Sequence, residues 1–281
     1  MLDVDKWSNV TVVRLRHGKV NALDLELLLE ITAVMRDLVP NEAVVITGSG
    51  TVFSAGVDLR RIVEGGRPYV REFLPALSEA FLAIFDHPGP VLAAIDGHAI
   101  AGGCVIAAAC DVRIMSEGRI GLAELSVGVP FPPVAMEILR HAIGPAVGHL
   151  VLTAGLLDAP QAQSIGLVHE VTEPDALLDA TVDRARQMAQ IPTEVFEFSK
   201  RQLQQPARAR LADRDGDDEA VLGMWSSDRT RAAIAEYLET LKRSRSPIPD
   251  LTDIPACPEA HDHEGSVLGE GSESNRYINP S

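Results

Sequence analysis

Two glycine-bearing loops constrain the fold of this chain more than any other feature of its sequence. They are Phe53–Leu59 and Ile95–Cys104, and each leaves an apolar, strand-like run and enters a segment with helical spacing of apolar residues. Short apolar runs bounded by glycine are typical of buried strands, whereas apolar residues three and four positions apart are typical of helices. Their alternation predicts an α/β fold with strands buried on at least one face.

The same alternation recurs over the first 170 residues or so and then stops. From Asp175 onward the strand signals disappear and helical spacing dominates. We therefore expect an α/β core over 1–190 and a helical module over 191–245. In the first part we predict strands over Val10–Leu15, Ala43–Thr47 and Val91–Ile95. We predict helices over 25–35, Tyr69–Phe85 and Gly103–Ala109.

Residues 246–281 have a different composition, rich in proline, glycine, serine and acids. Such a segment cannot bury enough apolar area to order itself, so we expect a flexible acidic tail. It contains Cys257, His261 and His263, which could in principle hold a transition metal. Without a second cysteine pair or a surrounding core, we interpret them as part of a solvated tail and predict no metal site.

Charge and cysteine content exclude several classes of protein. Lys+Arg 25 against Asp+Glu 40 gives a formal net charge of -15, which disfavours nucleic-acid binding. The chain has three cysteines and no secretory pattern at its N-terminus, so we expect a cytoplasmic location. The most apolar stretch, Val91–Cys110, carries Asp96 and several glycines, so we predict no membrane span.

Both loops can present free backbone N–H groups, because the first amides of a helix lack intrahelical acceptors and carry the positive end of the helix dipole. Two such loops that converge would polarise one carbonyl group. The alternative for Gly56, Gly102 and Gly103 is that they only permit tight turns and close packing. Neither loop has the order of a Walker A motif or of a dinucleotide-binding loop, which disfavours a nucleotide-phosphate cradle.

Taken together, the motifs resemble those of the crotonase superfamily of acyl-CoA enzymes. The resemblance implies a crotonase-like spiral of ββα turns with a C-terminal helical module that builds homotrimers or dimers of trimers. Within the superfamily the chain is most similar to the mitochondrial type of Δ3,Δ2-enoyl-CoA isomerase. The segments that carry the resemblance are Val20–Leu23, Phe53–Leu59, Pro90–Gly103, Cys110–Asp111, Gly121–Gly128 and 152–168.

The resemblance also implies a site. The amides of Val57 and Gly102 would hold the thioester oxygen of an acyl-CoA substrate. Hydratases of the superfamily carry two glutamates. One lies three residues after the oxyanion glycine, Gly102 here, and this chain has Val105 at that position. The other lies at the position of Glu124. Glu124 would thus act alone, with a pKa raised by apolar neighbours, although on residue type alone it could be a surface acid.

A single base can shift a double bond, whereas hydration calls for a second acid or base. We therefore predict an enoyl-CoA isomerase that needs no metal or redox cofactor, coenzyme A being part of the substrate. The alternatives are an enoyl-CoA hydratase in which another group such as His98 replaces the missing carboxylate, another acyl-CoA lyase or isomerase, and a non-catalytic acyl-CoA-binding protein. The residues implied around the substrate are Ala55, Val105 and Phe131 along the acyl group, and Lys19 and Arg60 at the coenzyme A phosphates.

Overall fold

The strands form two sheets in the computed structural model, which describes residues 1–40, 42–213 and 217–243. The larger sheet has the order β1-β2-β3-β5-β7-β10, and the smaller has the order β4-β6-β8-β9. Their bounds are β1 (Leu2–Trp7), β2 (Val10–Leu15), β3 (Ala43–Thr47), β4 (Val52–Ser54), β5 (Val91–Ile95), β6 (His98–Ile100), β7 (Val112–Met115), β8 (Arg119–Gly121), β9 (Leu156–Asp158) and β10 (Glu170–Val171).

Helices follow these strands and make up the last part of the described chain. Two short 3-10 helices, Glu124–Val127 and Pro174–Ala176, supplement them. The α-helices are α1 (Leu25–Asp37), α2 (Leu59–Phe85), α3 (Gly102–Ala109), α4 (Pro133–Ile143), α5 (Ala146–Leu152), α6 (Ala159–Ser164), α7 (Leu177–Met188), α8 (Thr193–Ala212), α9 (Asp217–Trp225) and α10 (Asp228–Arg243).

Chain order shows a repeated strand-strand-helix turn. In each turn a strand of the larger sheet is followed by a strand of the smaller sheet and then by a helix, as in β3-β4-α2 and β5-β6-α3. Neighbouring strands β2, β3, β5 and β7 are parallel, so successive turns stack in one direction. This is the predicted spiral of ββα turns, and the glycine-bearing loops lie where β4 and β6 lead into their helices.

The inner strands β2, β3 and β5 of the larger sheet are buried on both faces, which explains why they read as mostly apolar runs. Val45, Leu92 and Ala94 point toward α7, whereas Val44, Ile46 and Ala93 belong to the main core on the other face. Alternate residues of one strand thus fill two different clusters. Apolar runs that end at a polar turn or at glycines were sufficient to predict β2, β3 and β5 with these bounds.

One predicted boundary was wrong. The helix expected over Tyr69–Phe85 begins ten residues earlier, at Leu59, and passes through Gly66, whose φ of 56° is not helical. Gly65, Gly66 and Pro68 therefore mark a kink and not a helix start. The extension matters because the first residues of α2 follow the first glycine-bearing loop directly.

The C-terminal helices are anchored to the α/β core by buried polar contacts. Lys200 on α8 donates to Asp111 (2.8 Å) and to the Gly89 carbonyl (3.3 Å). Asp111 also accepts from the Val91 amide, and Gln204 donates to the Phe85 carbonyl (2.6 Å). Asp111 thus acts as a structural residue at the end of α3, and α8 is held against the core that carries the site.

The division into 1–190, 191–245 and 246–281 stays a prediction, and the tail lies outside the described residues. Helix α8 exposes apolar side chains, including Phe198 and Leu203. Such a surface is compatible with the predicted homotrimer or dimer of trimers. Among the described helices, none combines the length and the apolar character that a bilayer-spanning helix requires.

Candidate active site

A cavity of about 600 Å³ lies where both glycine-bearing loops meet the 3-10 helix Glu124–Val127. Its wall contains residues from five parts of the chain: the loop after β2, the loop after β4, the end of β6, the segment 123–129 and the C-terminal helices α9 and α10. Of the predicted site residues, the cavity brings together Lys19, Ala55, Val57, Arg60 and Glu124.

The first loop is fixed by the segment Val20–Leu23. Asn21, at a φ of 49°, donates from Nδ2 to the carbonyls of Val52 and Phe53. Ser54 Oγ donates to the Asn21 carbonyl (2.7 Å) and accepts from the Gly56 amide (3.2 Å). This network gives the Val20–Leu23 motif a physical role, since it holds the loop that carries Val57.

The two loops approach closely at their glycines. A Cβ atom built on Gly56 would lie 2.8 Å from the Ala101 Cβ, 2.8 Å from the Ile100 carbonyl oxygen and 3.1 Å from the Gly102 amide nitrogen. Gly56 has a φ of 82°, which glycine adopts at little cost. The absence of a side chain at Gly56 allows the two loops to approach each other. This glycine therefore does more than permit a tight turn.

Two amides at this junction are free to bind an oxygen. Leu23 donates to the Gly56 carbonyl and accepts from the Asp58 amide, on either side of Val57. Within the described part of the chain, neither the Val57 amide nor the Gly102 amide donates a hydrogen bond. Gly102 opens α3, so its amide also has no acceptor inside the helix. Val57 lines the cavity, whereas Gly102 is buried next to the cavity-lining residue Ala101, and the role of the two amides as a pair of oxyanion donors stays a prediction.

Ala101, immediately before α3, has a strained backbone that sequence reasoning missed. Its φ of 53° and ψ of -122° are rare for a residue with a side chain. Its amide donates to the Gly121 carbonyl of β8 (2.8 Å), which helps to hold this conformation. Strained residues persist where the surrounding structure fixes them and often lie at functional sites. Ala101 lines the cavity and sets the orientation of the Gly102 amide.

Glu124 is buried although it borders the cavity. Its side chain is 8% exposed, and Oε2 is shielded from solvent without a hydrogen-bond partner in the described structure. Burial raises the pKa of this carboxyl group to about 8, and no charged neighbour in the described part of the chain contributes to the shift. A raised pKa makes the ionised carboxylate a stronger base than an ordinary glutamate, which suits it to removing a proton from a weak carbon acid once it is unprotonated.

Asp58, the other cavity-lining acid in the described chain, is engaged elsewhere. Its carboxylate accepts from the amides of Arg60 (3.0 Å) and Arg61 (3.3 Å) and caps α2. His98 does not line the cavity, and its Nδ1 accepts from the Arg119 amide (3.2 Å). Of the two cavity acids in the described chain, Glu124 is therefore the one with a carboxyl oxygen, Oε2, that is buried and unpartnered.

The remaining predicted residues lie in two environments. Lys19 and Arg60 are exposed at the cavity edge, and neither forms an ion pair with a described carboxylate. Val105, on α3, and Phe131 are buried in the core and do not line the cavity directly. Of the three residues predicted along the acyl group, Ala55 thus lies on the cavity surface, whereas Val105 and Phe131 lie in the core.

Sequence reasoning missed the wall formed by the C-terminal helices. Trp225, Tyr237, Leu238 and Leu241 line the cavity, as does His17 at the opposite end of the sequence. No local motif marks these residues, because their role depends on packing between distant segments. The sequence indicated helical spacing over this region, and Trp225–Asp228 and Tyr237–Glu239 resemble the closing helices of the superfamily, but neither signal assigned these side chains to a site.

Metal ligation has no support within the described ranges 1–40, 42–213 and 217–243. No group of three His, Cys, Asp or Glu side chains in them could hold a metal ion. Cys257, His261 and His263 lie outside those ranges. The chemistry available at the cavity is that of two backbone donors, one buried carboxyl group and two exposed cations.

Comparison with known proteins agrees with this geometry. The model of the enoyl-CoA hydratase/isomerase family matches residues 5–245. The chain is 27% identical over 254 residues to human mitochondrial enoyl-CoA delta isomerase 1, which covers 87% of this chain and 84% of that protein. It is 33% identical over 197 residues to a putative enoyl-CoA hydratase of Thermus thermophilus, covering 67% of this chain and 78% of the relative.

A solved structure shows the same architecture. The crystal structure of human mitochondrial delta3-delta2-enoyl-CoA isomerase superimposes with a TM-score of 0.82 at 26% identity, covering 87% of this chain and 99% of that one. Together with the family match, this similarity confirms the crotonase-like fold that the glycine-bearing loops predicted. The chain belongs to the enoyl-CoA hydratase/isomerase family of the crotonase superfamily.

Proposed function

We propose that the protein shifts the double bond of a 3-enoyl-CoA to the 2-trans position, with Glu124 as the only base. One observation carries the proposal: Glu124 borders the cavity with a buried carboxyl group whose Oε2 has no hydrogen-bond partner in the described structure, whereas the carboxylate of Asp58, the other cavity-lining acid of the described residues, caps α2. Val105 occupies the position at which hydratases of this superfamily carry their other glutamate. The similarity to isomerases supports the same conclusion.

In the proposed reaction, the thioester carbonyl accepts hydrogen bonds from the amides of Val57 and Gly102. Glu124 removes a proton from C2, and the electron pair of that C–H bond moves into a dienolate whose negative oxygen the two amides stabilise. Glu124 then returns the proton to C4, so that the double bond lies between C2 and C3. The proton balance closes within the substrate, and no metal, water or redox cofactor takes part.

The coenzyme A part of the substrate would lie toward the exposed edge of the cavity. Lys19 and Arg60 project there without partners among the described carboxylates, in a chain with a formal net charge of -15. Basic side chains at this edge would bind the phosphate groups by charge-assisted hydrogen bonds. Their isolation in an acidic chain supports this assignment. The cytoplasmic location also stays a prediction.

Hydration of a 2-enoyl-CoA is the second candidate, because a putative hydratase is among the relatives. It would need a second group to manage the proton of the attacking water. Since His98 is bonded to the Arg119 amide and lies outside the cavity lining, it does not supply that group.

Parallel assays of purified protein with 3-enoyl-CoA and 2-trans-enoyl-CoA test the proposal. We expect isomerisation to exceed hydration by at least about 100-fold, since one general acid or base contributes about that factor. Hydration at a rate equal to or above isomerisation would instead favour the hydratase. Tight binding of both thioesters without turnover of either would identify an acyl-CoA-binding protein.

The raised pKa of Glu124 predicts how activity depends on pH. The base must be unprotonated to act, so kcat/KM for isomerisation should rise with pH and level off above about 8. A profile that is flat from pH 6 to pH 9 would contradict this assignment. Measuring kcat/KM across that range in buffers of constant ionic strength checks it.

The same burial has an effect on stability that does not depend on activity. A carboxyl group whose pKa rises from 4.5 to about 8 on folding binds its proton more tightly in the folded state. Its contribution to stability is therefore fully present below about pH 4.5 and is lost as pH rises toward 8. Relative to Glu124→Gln, the wild-type melting temperature should fall between pH 5 and pH 9. Parallel pH dependence of the two proteins would argue against a buried, ionisable Glu124.

A further inference from the structure

The segment that carries Glu124 is held from its C-terminal side by helices α9 and α10. Trp225 at the end of α9 donates from its indole Nε1 to the Pro130 carbonyl (2.8 Å). Thr230 on α10 donates from Oγ1 to the Gly128 carbonyl (3.4 Å). Gly128 and Pro130 lie one and three residues after the 3-10 helix Glu124–Val127, so the C-terminal helices bond two carbonyls on the C-terminal side of Glu124.

The 3-10 helix depends on such outside contacts for its position. It has only four residues, and no side chain caps its N-terminus at Ala123. Short 3-10 helices have poorer hydrogen-bond geometry than α-helices and gain little stability of their own. The other side is held by the Leu122 amide, which donates to the Gly155 carbonyl (3.1 Å). The orientation of Glu124 is therefore set on its N-terminal side by the hydrogen bond from Leu122 to Gly155, and on its C-terminal side by the hydrogen bonds of Trp225 and Thr230.

Trp225 also shields the site. The residue is 1% exposed, its ring lies 6.3 Å from that of Phe73, and it forms part of the cavity wall. Packing against Phe73 alone would make it an ordinary core tryptophan. Its placement is more specific, since the same side chain borders the cavity and bonds the segment that carries Glu124. A wall residue that loosens would admit water to the carboxyl group.

We propose that Trp225 is a positioning residue for the reaction: its indole N–H and ring keep the 3-10 helix in place and exclude water from the Glu124 carboxyl group. The inference rests on the proposed function, in which Glu124 is the base. Other titratable or charged groups that face this region are Cys104 on α3, Tyr237 on α10, and His17, Lys19, Asp58 and Arg60 around the cavity mouth.

None of those groups contributes to the raised pKa of Glu124, which burial causes. A change in the wall should therefore move the titration of Glu124 even though no charge is altered. A role of Trp225 in stability alone predicts a lower melting temperature and an unchanged titration. The pH response thus separates the two roles.

The test is Trp225→Phe, which keeps an aromatic ring but removes the indole N–H. We expect kcat on the high-pH plateau to fall about tenfold, and the midpoint of the pH profile to move toward lower pH by at least half a unit. Trp7→Phe is the matched control, because Trp7 is the other tryptophan of the chain and ends β1 outside the cavity lining. It should leave both quantities unchanged.

A second measurement does not depend on turnover. In protein labelled with ¹³C at the glutamate carboxyl carbon, the signal that disappears in Glu124→Gln reports the protonation of Glu124. Its midpoint should fall in Trp225→Phe and stay in place in Trp7→Phe. If Trp225→Phe does not fold, Thr230→Val removes the contact to Gly128 and should shift the midpoint in the same direction by a smaller amount.

The outcomes distinguish this inference from the proposed function. A folded Trp225→Phe with wild-type titration of Glu124 and a wild-type pH profile overturns the positioning role. A shifted titration in a protein that does not isomerise 3-enoyl-CoA would support the control of Glu124 by Trp225 and would refute the isomerase.

Discussion

Replacing Glu124 by glutamine is expected to lower kcat for isomerisation by about 1,000-fold, within the range for loss of a general base. Glutamine has nearly the same shape, so the cavity and the two amide donors stay in place, but it cannot accept the proton from C2. Asp58 cannot substitute, because its carboxylate is bonded to the amides of Arg60 and Arg61. Steady-state kinetics with 3-enoyl-CoA measure the loss.

Binding should survive this substitution. The affinity of Glu124→Gln for a 2-enoyl-CoA product, measured by calorimetry, is expected to stay within about threefold of wild type, because the amides and basic side chains that hold the thioester are unchanged. Glu117→Gln is a suitable control, since Glu117 is exposed on the loop between β7 and β8. Turnover of Glu124→Gln at the wild-type rate would show that the base is another residue.

Substituting alanine for Gly56 should cause the second large loss, this time through the oxyanion site. The added methyl group would lie 2.8 Å from both the Ala101 Cβ and the Ile100 carbonyl oxygen. Neither neighbour is the end of a flexible side chain, so the loops must separate. With the Val57 and Gly102 amides apart, we expect kcat to fall by about 100-fold to 1,000-fold, the usual loss for one oxyanion donor.

The positive φ of residue 56 also lowers the stability of Gly56→Ala, independently of the steric clash. A matched substitution separates these two effects. Gly50→Ala introduces the same residue at a similar φ (73° against 82°), but nothing lies within 4 Å of the added atom. Both variants should lose about 2 kcal/mol of stability from the strained φ. Only Gly56→Ala should lose activity. Equal kcat values for the two would refute the convergence of the loops on one substrate atom.

The parts of the fold that sequence reasoning predicted are those that local patterns determine. Strands β2, β3 and β5 are buried on both faces, so they read as mostly apolar runs that a polar turn or neighbouring glycines delimit. The small sheet could not be predicted in this way. Strand β6 has three residues, and its pairing partners β4 and β8 lie some 20 to 45 positions away in the sequence. Such strands exist because of long-range pairing, and local composition does not reveal them.

The site shows the same division. The glycines of both loops and Glu124 were visible because close backbone approach needs glycine and because the resemblance assigned the acid a position. The conformation of Ala101 was not visible, since alanine at a φ of 53° is an exception that only its surroundings enforce. Trp225 and Tyr237 were missed because helical spacing shows which residues are apolar but not which cavity they face.

The origin of the cavity wall has a consequence for how this polypeptide tolerates change near its end. Loop residues from the first quarter of the chain and helical residues after position 220 enclose one chamber, while the acid lies between them in sequence. Truncating the chain before α9 would open the chamber to bulk water and remove the hydrogen bonds of Trp225 and Thr230 to the segment that follows the acid. The last described helices are therefore part of the catalytic unit, and a boundary drawn in front of them would divide one working site.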